Sequence, residues 1–251
     1  MRFSPQLRDL DWLVARPIAH RGLHDDQKME NCESAFAAAI KHNYAIECDV
    51  QLSLDGKAMV MHDEALNRVM DHKGWVKDFT ARQLKAMPYK FGNDRMQTLA
   101  ELLEQVNGRV TLVIELKSEF KGEIGLVRRA LKVLESYQGP YCLMSFDPDM
   151  VAAVAELSPN AVRGITADRA VDPYYNFLSV ARRLALREFS HLPETRPHFI
   201  SYNFRELPFQ PVSQIRGAGH PVISWTIHSE AEAAQARRYS DQITFEGFLP
   251  V

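Results

Sequence analysis

Three carboxylates in this 251-residue sequence have the spacing expected of metal ligands. Glu47 and Asp49 are two positions apart in one apolar run, and Glu115 closes another. Side chains two apart in a strand point to the same face. Carboxylates crowded on one face repel each other unless a cation neutralises them. Because an all-oxygen set suits a hard cation better than it suits zinc, the pattern predicts a site for Mg²⁺ or Ca²⁺.

Two histidines and two permanent cations accompany these carboxylates. His20 and Arg21 end one short apolar run, His62 ends a second, and Lys117 follows two residues after Glu115. A pair of histidines can supply an acid and a base near neutral pH. Arginine and lysine cannot ligate a metal, but they suit a phosphate. Together these residues predict metal-assisted cleavage of a phosphate ester.

Short apolar runs that alternate with helical patterns must position these residues. Strands are predicted at 17–20, 44–49, 57–62, 110–116, 141–145, 161–165, 198–202, 221–225 and 242–245. Helices are predicted near 33–42, 99–107, 122–137, 148–157, 173–187, 209–217 and 229–238. Such alternation favours a parallel sheet with right-handed crossovers. Repeated over this length it predicts an α/β fold, a (β/α)8 TIM barrel, whose catalytic groups lie at the C-terminal ends of the strands.

The strand predicted at 57–62 cannot belong to the parallel barrel. Only a few residues separate it from the preceding strand, whereas a parallel crossover needs a dozen or more. The Asp55-Gly56 pair between them is a tight-turn signal. We therefore expect 57–62 to return antiparallel beside the extended end of the second strand, which leaves eight barrel strands. With Ser53 opposite Ala58, His62 falls close to Asp49 at the barrel mouth.

Residues 63–98 contain no strand signal of comparable strength. They hold Gly74, Pro88, Gly92 and many charges, with one helical stretch, TARQLKAM. We predict a small subdomain inserted between the second strand and its helix, overhanging the C-terminal face. Residues 1–251 as a whole are then one TIM-barrel domain with an insertion at about 63–98.

Several motifs resemble the glycerophosphodiester phosphodiesterase family. They are, in order, AHRG, EN, ECDVQLSLDGKAMVMHDEALNRV, FTARQLKAM, IELK, SF and WT, and they run across nearly the whole chain. The segment from Glu47 to Asp63 is the most specific part. Members of this family are TIM barrels with a small insertion after the second strand, which is similar to the position expected for 63–98.

The resemblance implies a role for each matching residue. It implies His20 and His62 as the acid–base pair, Glu47, Asp49 and Glu115 as ligands of a divalent metal, and Arg21 and Lys117 as phosphate contacts. It also implies that Glu30 is a further substrate or metal contact. The substrate is expected to be a small glycerophosphodiester, cleaved to glycerol 3-phosphate and an alcohol.

Three of these positions have a second interpretation. Glu115 and Lys117 could form a buried ion pair. At Glu30, the adjacent Asn31 could explain the motif as a helix N-cap. Trp225, at the end of the seventh barrel strand, could be plain core or an apolar wall beside the substrate, and we predict the wall.

The sequence also departs from the family at a few positions. Met29 stands where the family usually has proline, Cys32 replaces a serine or threonine, and NRVMDHKGW lacks the usual arginine-threonine pair. Glu246 stands where the family usually has aspartate. None of these changes touches the acid–base pair or the metal triad, so they bear on the substrate pocket.

Other functions remain open alternatives. The nearest is a phospholipase D-like cleavage of lysophospholipids or sphingolipids with the same groups, which an exposed apolar rim would favour. A metal-dependent amidohydrolase usually has a His-x-His pair on its first strand, and this chain has none. A catalytically silent ligand-binding barrel is disfavoured because every acid–base and metal residue is present.

Composition restricts the partners and the compartment. A formal net charge of −2 gives no electrostatic basis for binding nucleic acid or an anionic membrane. No apolar run approaches the roughly 20 residues that cross a bilayer, and the first twelve residues lack the apolar core of a signal peptide. Three scattered cysteines suit neither a disulfide framework nor a zinc site. We expect a cytoplasmic enzyme without stable membrane insertion, and no pattern indicates an oligomeric state.

Overall fold

The computed structural model describes residues 9–250, so the signal-peptide prediction falls largely on residues outside the described range. The strands are β1 (Ile18–Ala19), β2 (Ala45–Leu52), β3 (Ala58–Val60), β4 (Leu112–Leu116), β5 (Tyr141–Ser145), β6 (Arg163–Ala167), β7 (Phe199–Asn203), β8 (Val222–Ile227) and β9 (Gln242–Phe245). The α-helices are α1 (Asp11–Val14), α2 (Glu33–Lys41), α3 (Ala81–Ala86), α4 (Leu99–Val106), α5 (Gly125–Leu134), α6 (Pro148–Leu157), α7 (Val180–Arg187), α8 (Leu192–Thr195), α9 (Gln210–Gly217) and α10 (Glu230–Ala236). All nine predicted strands are present, and β3 alone among the described strands runs antiparallel to its neighbour. Within residues 9–250, no helix combines the length and apolar character of a membrane span.

By its contacts the chain divides into two compact units, of which one is residues 18–142. In this unit β1 and β4 both pair parallel with β2, and the ladder between β2 and β4 sets Asp49 opposite Glu115. Strand β2 is buried along nearly its whole length, as expected of a parallel strand covered on both faces. This ladder fixes the relative height of the predicted metal ligands.

The hairpin between β2 and β3 forms as predicted, but the expected register is wrong by one residue. Leu52, not Ser53, lies opposite Ala58. The Ser53 amide donates to the Lys57 carbonyl at 2.9 Å, which closes a loop of three residues. Gly56 ends that loop with φ +68°, and glycine adopts this left-handed conformation without strain. The shorter loop therefore shifts the returning strand by one position.

The inserted segment, residues 63–98, packs around an apolar cluster. It contains two 3-10 turns and helix α3, which Thr80 and Gln83 begin with a capping box and which coincides with the predicted TARQLKAM helix. The apolar side chains of the cluster come from the insertion, from the hairpin strand and from the chain after β1; they include Met29, Cys32, Met59, Met61, Leu66, Met70, Leu84 and Met96. The hairpin that carries His62 therefore has the insertion as one of its packing partners.

The second unit comprises residues 9–17 and 143–250 of the described chain. Strands β5 to β9 pair parallel in sequence order. Apolar side chains of β6 and β7, including Ile165, Ile200 and Tyr202, pack against helices α6 and α9 in one buried cluster. Strand β8 carries Trp225 in this unit.

Candidate active site

A tight turn after β1 explains the glycine in the AHRG motif. Gly22 has φ +81°, and a Cβ there would lie 3.0 Å from Ala35 and from the ring of Phe36. Its amide donates to the Ala19 carbonyl at 3.2 Å. Any side chain would therefore meet both an unfavourable backbone conformation and helix α2. This turn brings the two residues before Gly22, a histidine and an arginine, against β2.

Contacts to one carboxylate show where the turn delivers these residues. The Arg21 amide donates to Glu47 Oε2 at 3.0 Å. His20 Nε2 lies 4.0 Å from the same oxygen. Both residues of the motif thus reach the carboxylate of the neighbouring strand.

Glu47, Asp49 and Glu115 converge as predicted. Each offers a carboxylate oxygen that lies within 4.8 Å of the oxygens of the other two. All three residues are buried, with exposures of 2%, 1% and 6%. The first two lie in the middle of β2 rather than at its end, because β2 continues for three residues to pair with β3. The resulting cluster is an all-oxygen, anionic pocket.

The two carboxylates of β2 differ in proton affinity. Burial, together with the charges of Asp49 and Glu115, raises the pKa of Glu47. Burial also acts to raise the pKa of Asp49, but the charges of His62, Lys117 and Arg21 outweigh it and hold that pKa below its usual value. Positive charge is therefore concentrated around Asp49, and less of it lies near Glu47.

Lys117 and Arg21 both lie at the edge of the carboxylate cluster. Lys117 Nζ donates to Glu115 Oε1 at 2.8 Å and lies 3.6 Å from Asp49. The ion pair considered from the sequence is therefore present. It involves one oxygen of Glu115. Arg21 Nε lies 3.4 Å from Asp49 Oδ2 and makes no hydrogen bond among the described residues, although it is buried.

Asn31 does not cap helix α2, which contradicts the N-cap interpretation. The N-cap residue is Cys32, and no side chain caps that helix. The amide group of Asn31 instead donates to Asp49 Oδ2 at 2.9 Å, and its oxygen accepts from the Asp49 amide at 3.3 Å. Asn31 can turn back to β2 because its φ is +53°. It is thus a residue that orients Asp49.

The returning strand delivers His62 beside Asp49. The amide of Met61 donates to the Asp49 carbonyl at 2.9 Å. His62 Nδ1 lies 2.7 Å from Asp63 Oδ1. A carboxylate at Nδ1 favours the tautomer that carries its proton there, which leaves Nε2 to accept a proton.

A chain of charged hydrogen bonds connects His62 to Arg21. Asp63 accepts from Arg68 at 2.5 and 3.0 Å, and Arg68 donates to both oxygens of Glu30 at 2.7 and 2.8 Å. Glu30 also accepts from Arg21 at 2.9 Å. Burial acts to raise the pKa of Asp63, but its bonds to His62 and Arg68 lower that pKa below its usual value. Neither Asp63 nor Arg68 was predicted from the sequence as a site residue; their one signal there was their place in the motif that contains His62.

Trp225 belongs to the other compact unit and is described within it. The indole packs edge-to-face on Phe146, with ring centroids 5.4 Å apart and an interplanar angle of 76°. The indole nitrogen is buried and has no hydrogen-bond partner among the described residues. Its role as a wall of the substrate pocket remains a prediction.

The profile of the glycerophosphoryl diester phosphodiesterase family matches residues 20–242. The chain belongs to this family. The family assignment made from the sequence motifs is therefore confirmed, and so is the enzyme class. The matched range begins at His20 and includes all the predicted site residues.

Two relatives are similar to this chain in sequence, and one solved structure is similar in fold. The Bacillus subtilis protein YhdW is 27% identical over 227 residues, which cover 87% of this chain and 88% of that protein. A glycerophosphodiester phosphodiesterase of Caldanaerobacter subterraneus is 33% identical over 159 residues, 59% of this chain and 65% of that protein. A phosphodiesterase from Oleispira antarctica, solved with the product sn-glycerol-3-phosphate, matches with a TM-score of 0.76 at 24% identity, over 93% of this chain and 94% of that one. The last likeness confirms the predicted (β/α)8 TIM barrel fold.

Proposed function

We propose that this family member is a divalent-metal-dependent hydrolase that cleaves glycerophosphodiesters to glycerol 3-phosphate and an alcohol. The observation that carries the proposal is the buried triad of Glu47, Asp49 and Glu115, with a histidine beside each carboxylate of β2. The product bound to the Oleispira antarctica relative supports the choice of substrate. The sequence favours the cytoplasm as the compartment.

The triad fits a divalent cation such as Mg²⁺ or Ca²⁺. Three buried carboxylate oxygens within 4.8 Å of one another are a hard, all-oxygen donor set. Two cations, Lys117 and Arg21, serve three carboxylates: Lys117 is bonded to Glu115, and both lie within 4 Å of Asp49. A bound divalent cation would act as a Lewis acid toward the phosphate oxygens and would orient the substrate.

Arg21 and Lys117 are proposed to bind the phosphate. Arg21 is 16% exposed in its side chain and Lys117 is 21% exposed, so both can reach a ligand from a largely buried position. Glu30 holds one end of the Arg21 guanidinium at 2.9 Å, which leaves the buried Nε for another acceptor. A guanidinium fixed in this way loses little freedom when it binds a phosphate. Glu30 is therefore proposed to act on the substrate through Arg21.

His20 and His62 are proposed as the acid–base pair. One removes the proton from the attacking water or hydroxyl as its oxygen bonds to phosphorus, and the other gives a proton to the alcohol oxygen as the phosphorus–oxygen bond breaks. Attack by water gives the phosphate monoester and the neutral alcohol directly. Attack by the neighbouring glycerol hydroxyl releases the alcohol and leaves a cyclic phosphodiester, which water then opens to the monoester. In each displacement one histidine gains a proton and the other loses one. Asp63 is proposed to hold His62 in the tautomer that this exchange requires.

The insertion is proposed to shape the pocket around the alcohol. The insertion contributes Arg68, which contacts Glu30, so it extends to the site within its own unit. Substrate preference should therefore respond to changes in residues 63–98 more than metal binding does. Trp225 would provide an apolar wall.

One observation favours the alternative substrate class of lysophospholipids or sphingolipids. Five large apolar side chains are more than 45% exposed within 14 residues of the second unit: Val171, Tyr174, Phe177, Val180 and Leu184. This segment follows the carboxyl end of β6, the strand end at which barrel enzymes build their substrate sites. An exposed apolar surface of this kind suits a substrate that carries an acyl chain.

The test is a metal-dependent assay on both substrate classes. Glycerophosphocholine should release glycerol 3-phosphate with Mg²⁺ or Ca²⁺, and excess chelator should abolish release. Glu47→Gln should remove activity and metal binding together, whereas Glu104→Gln, which removes an exposed carboxylate on α4, should change neither. Full turnover in excess chelator would refute the metal assignment. Faster release of choline from lysophosphatidylcholine would establish the alternative.

A further inference from the structure

A second concave site lies in the first unit and uses none of the residues proposed for catalysis. Its volume is about 470 Å³, within the range of roughly 300–1,000 Å³ typical of small-molecule pockets. Its walls are the start of β3, helix α3 of the insertion, the start of α4, and helix α5. We call it the basic groove, after its cations Lys57, Arg82, Lys85 and Arg129.

The cations of the basic groove exceed the carboxylates that could neutralise them. Lys85 is paired with Glu101. Among the described residues, neither Lys57, Arg82 nor Arg129 has a carboxylate within salt-bridge distance. Arg129 Nε donates to the Gly56 carbonyl at 2.6 Å, which fixes its guanidinium without neutralising it.

Asp55 is the carboxylate on the hairpin, and its Oδ1 accepts two hydrogen bonds. It accepts from the Ser53 hydroxyl at 2.7 Å and from the Ala81 amide at 2.8 Å. These bonds, the Ser53 hydroxyl first, lower the pKa of Asp55. Asp55 therefore supports the loop as an ionised carboxylate, and its charge acts on Lys57. Four cations against the two carboxylates of Asp55 and Glu101 leave the groove with an excess of positive charge.

Between the cations the groove is apolar. Ala58 and Ala81 are buried, and Ala100 and Val133 complete the lining together with Thr98. A small inorganic anion would satisfy the cations and leave this surface exposed to water. An anionic head with a short apolar group would cover both kinds of surface.

We propose that the basic groove binds an amphiphilic organic anion, with a phosphate or carboxylate head between Arg82 and Arg129 and an apolar chain against Ala58, Ala81 and Val133. Guanidinium groups recognise such heads through paired hydrogen bonds, and that of Arg129 is held in place by the Gly56 carbonyl. The ligand has two possible sources, a soluble phosphate ester or a lipid presented by a membrane. The groove is separate from the proposed catalytic residues, so this binding stands independently of the proposed function.

The test uses hexyl phosphate, hexanol and inorganic phosphate in calorimetric titrations of the whole protein. A phosphate could also bind at the proposed active site, so all titrations are made in a Lys117→Met background. Hexyl phosphate should bind saturably, with inorganic phosphate weaker and hexanol without measurable binding. Arg82→Met should weaken hexyl phosphate by roughly tenfold or more, as expected for loss of a charge-assisted hydrogen bond.

Arg128→Met is the matched control, because Arg128 is exposed on the same helix as Arg129 but does not line the groove. It should leave hexyl phosphate binding unchanged. Arg82 makes no hydrogen bond to a described residue through its side chain, so Arg82→Met should leave the thermal unfolding midpoint unchanged. Arg129→Met tests the other side of the groove. Equal affinity in Arg82→Met, Arg129→Met and Arg128→Met would overturn the proposal, as would equal heats for hexyl phosphate and hexanol.

Binding to lipid vesicles distinguishes the two possible sources of the ligand, a soluble phosphate ester and a membrane lipid. Sedimentation of the protein with phosphatidate-containing vesicles, lost in Arg82→Met and kept in Arg128→Met, would identify a lipid as the source. Binding of hexyl phosphate without sedimentation would identify a soluble anion. Both outcomes support the groove as an amphiphile site. Sedimentation that is unaffected by Arg82→Met, together with no saturable hexyl phosphate binding, would refute it.

Discussion

Replacing Asp63 by asparagine tests whether the carboxylate beside His62 contributes to turnover. Asp63 Oδ1 lies 2.7 Å from His62 Nδ1, and the side chains are 24% and 31% exposed. A hydrogen bond to a charged group is worth roughly 1.5–3 kcal/mol, and 1.36 kcal/mol corresponds to about tenfold in rate. Because the pair is partly exposed, we expect the lower part of that range. Asp63→Asn should therefore reduce kcat by about 10- to 30-fold.

The reduction should fall on kcat, because Asp63 is not among the proposed phosphate or metal contacts. Rates for Asp63→Asn would be measured over a range of glycerophosphocholine concentrations, together with calorimetric metal affinity. Glu64→Gln is the matched control, since it removes one neighbouring, exposed negative charge. Equal kcat values for the two variants would show that Asp63 does not orient His62. A loss of metal affinity in Asp63→Asn would instead connect the network to the triad.

Two further replacements probe the turn after β1. His20→Ala should lower the rate by about 10²–10⁴-fold while calorimetry still detects the metal, because the carboxylates are the proposed ligands; loss of metal would make His20 a ligand. Gly22→Ala should lower the free energy of unfolding by about 1–3 kcal/mol, since alanine there must adopt a strained φ and approach Phe36 to 3.0 Å. Gly217→Ala, whose Cβ meets no atom within 4 Å, is the control in urea denaturation, and equal midpoints would contradict the strain argument.

Elements of the fold that depend on local pattern were predictable from the sequence. The runs ending at His20 and Leu116 became strands within a residue or two of the expected bounds. The antiparallel hairpin followed from the few residues available at Asp55-Gly56. Its register was not predictable, because loops of three and four residues are both compatible with that turn. The hydrogen bond between Ser53 and Lys57 decides between them, and it is a tertiary detail.

The convergence of the triad was predictable for a reason that did not apply to the network around His62. Alternation along β2 requires Glu47 and Asp49 to share a face whatever the rest of the chain does. The contacts of Glu30 with Arg68 instead join residues 38 positions apart through two flexible side chains. The hydrophobic periodicity of the sequence does not predict such a contact.

Asn31 illustrates the same limit at a single residue. An asparagine just before a helix is usually an N-cap, and that inference uses only the neighbouring sequence. In the structure the Asn31 side chain bonds Asp49, 18 residues away, at both its amide nitrogen and its oxygen. A carboxylate in a crowded anionic pocket needs a donor to fix its orientation, so a buried Asp49 offers a better partner than a helix end whose amides can be bonded by other groups. Local propensity therefore suggests a nearby hydrogen-bond partner for a polar side chain. In a charged, buried site, the partner is instead determined by which group most needs a donor.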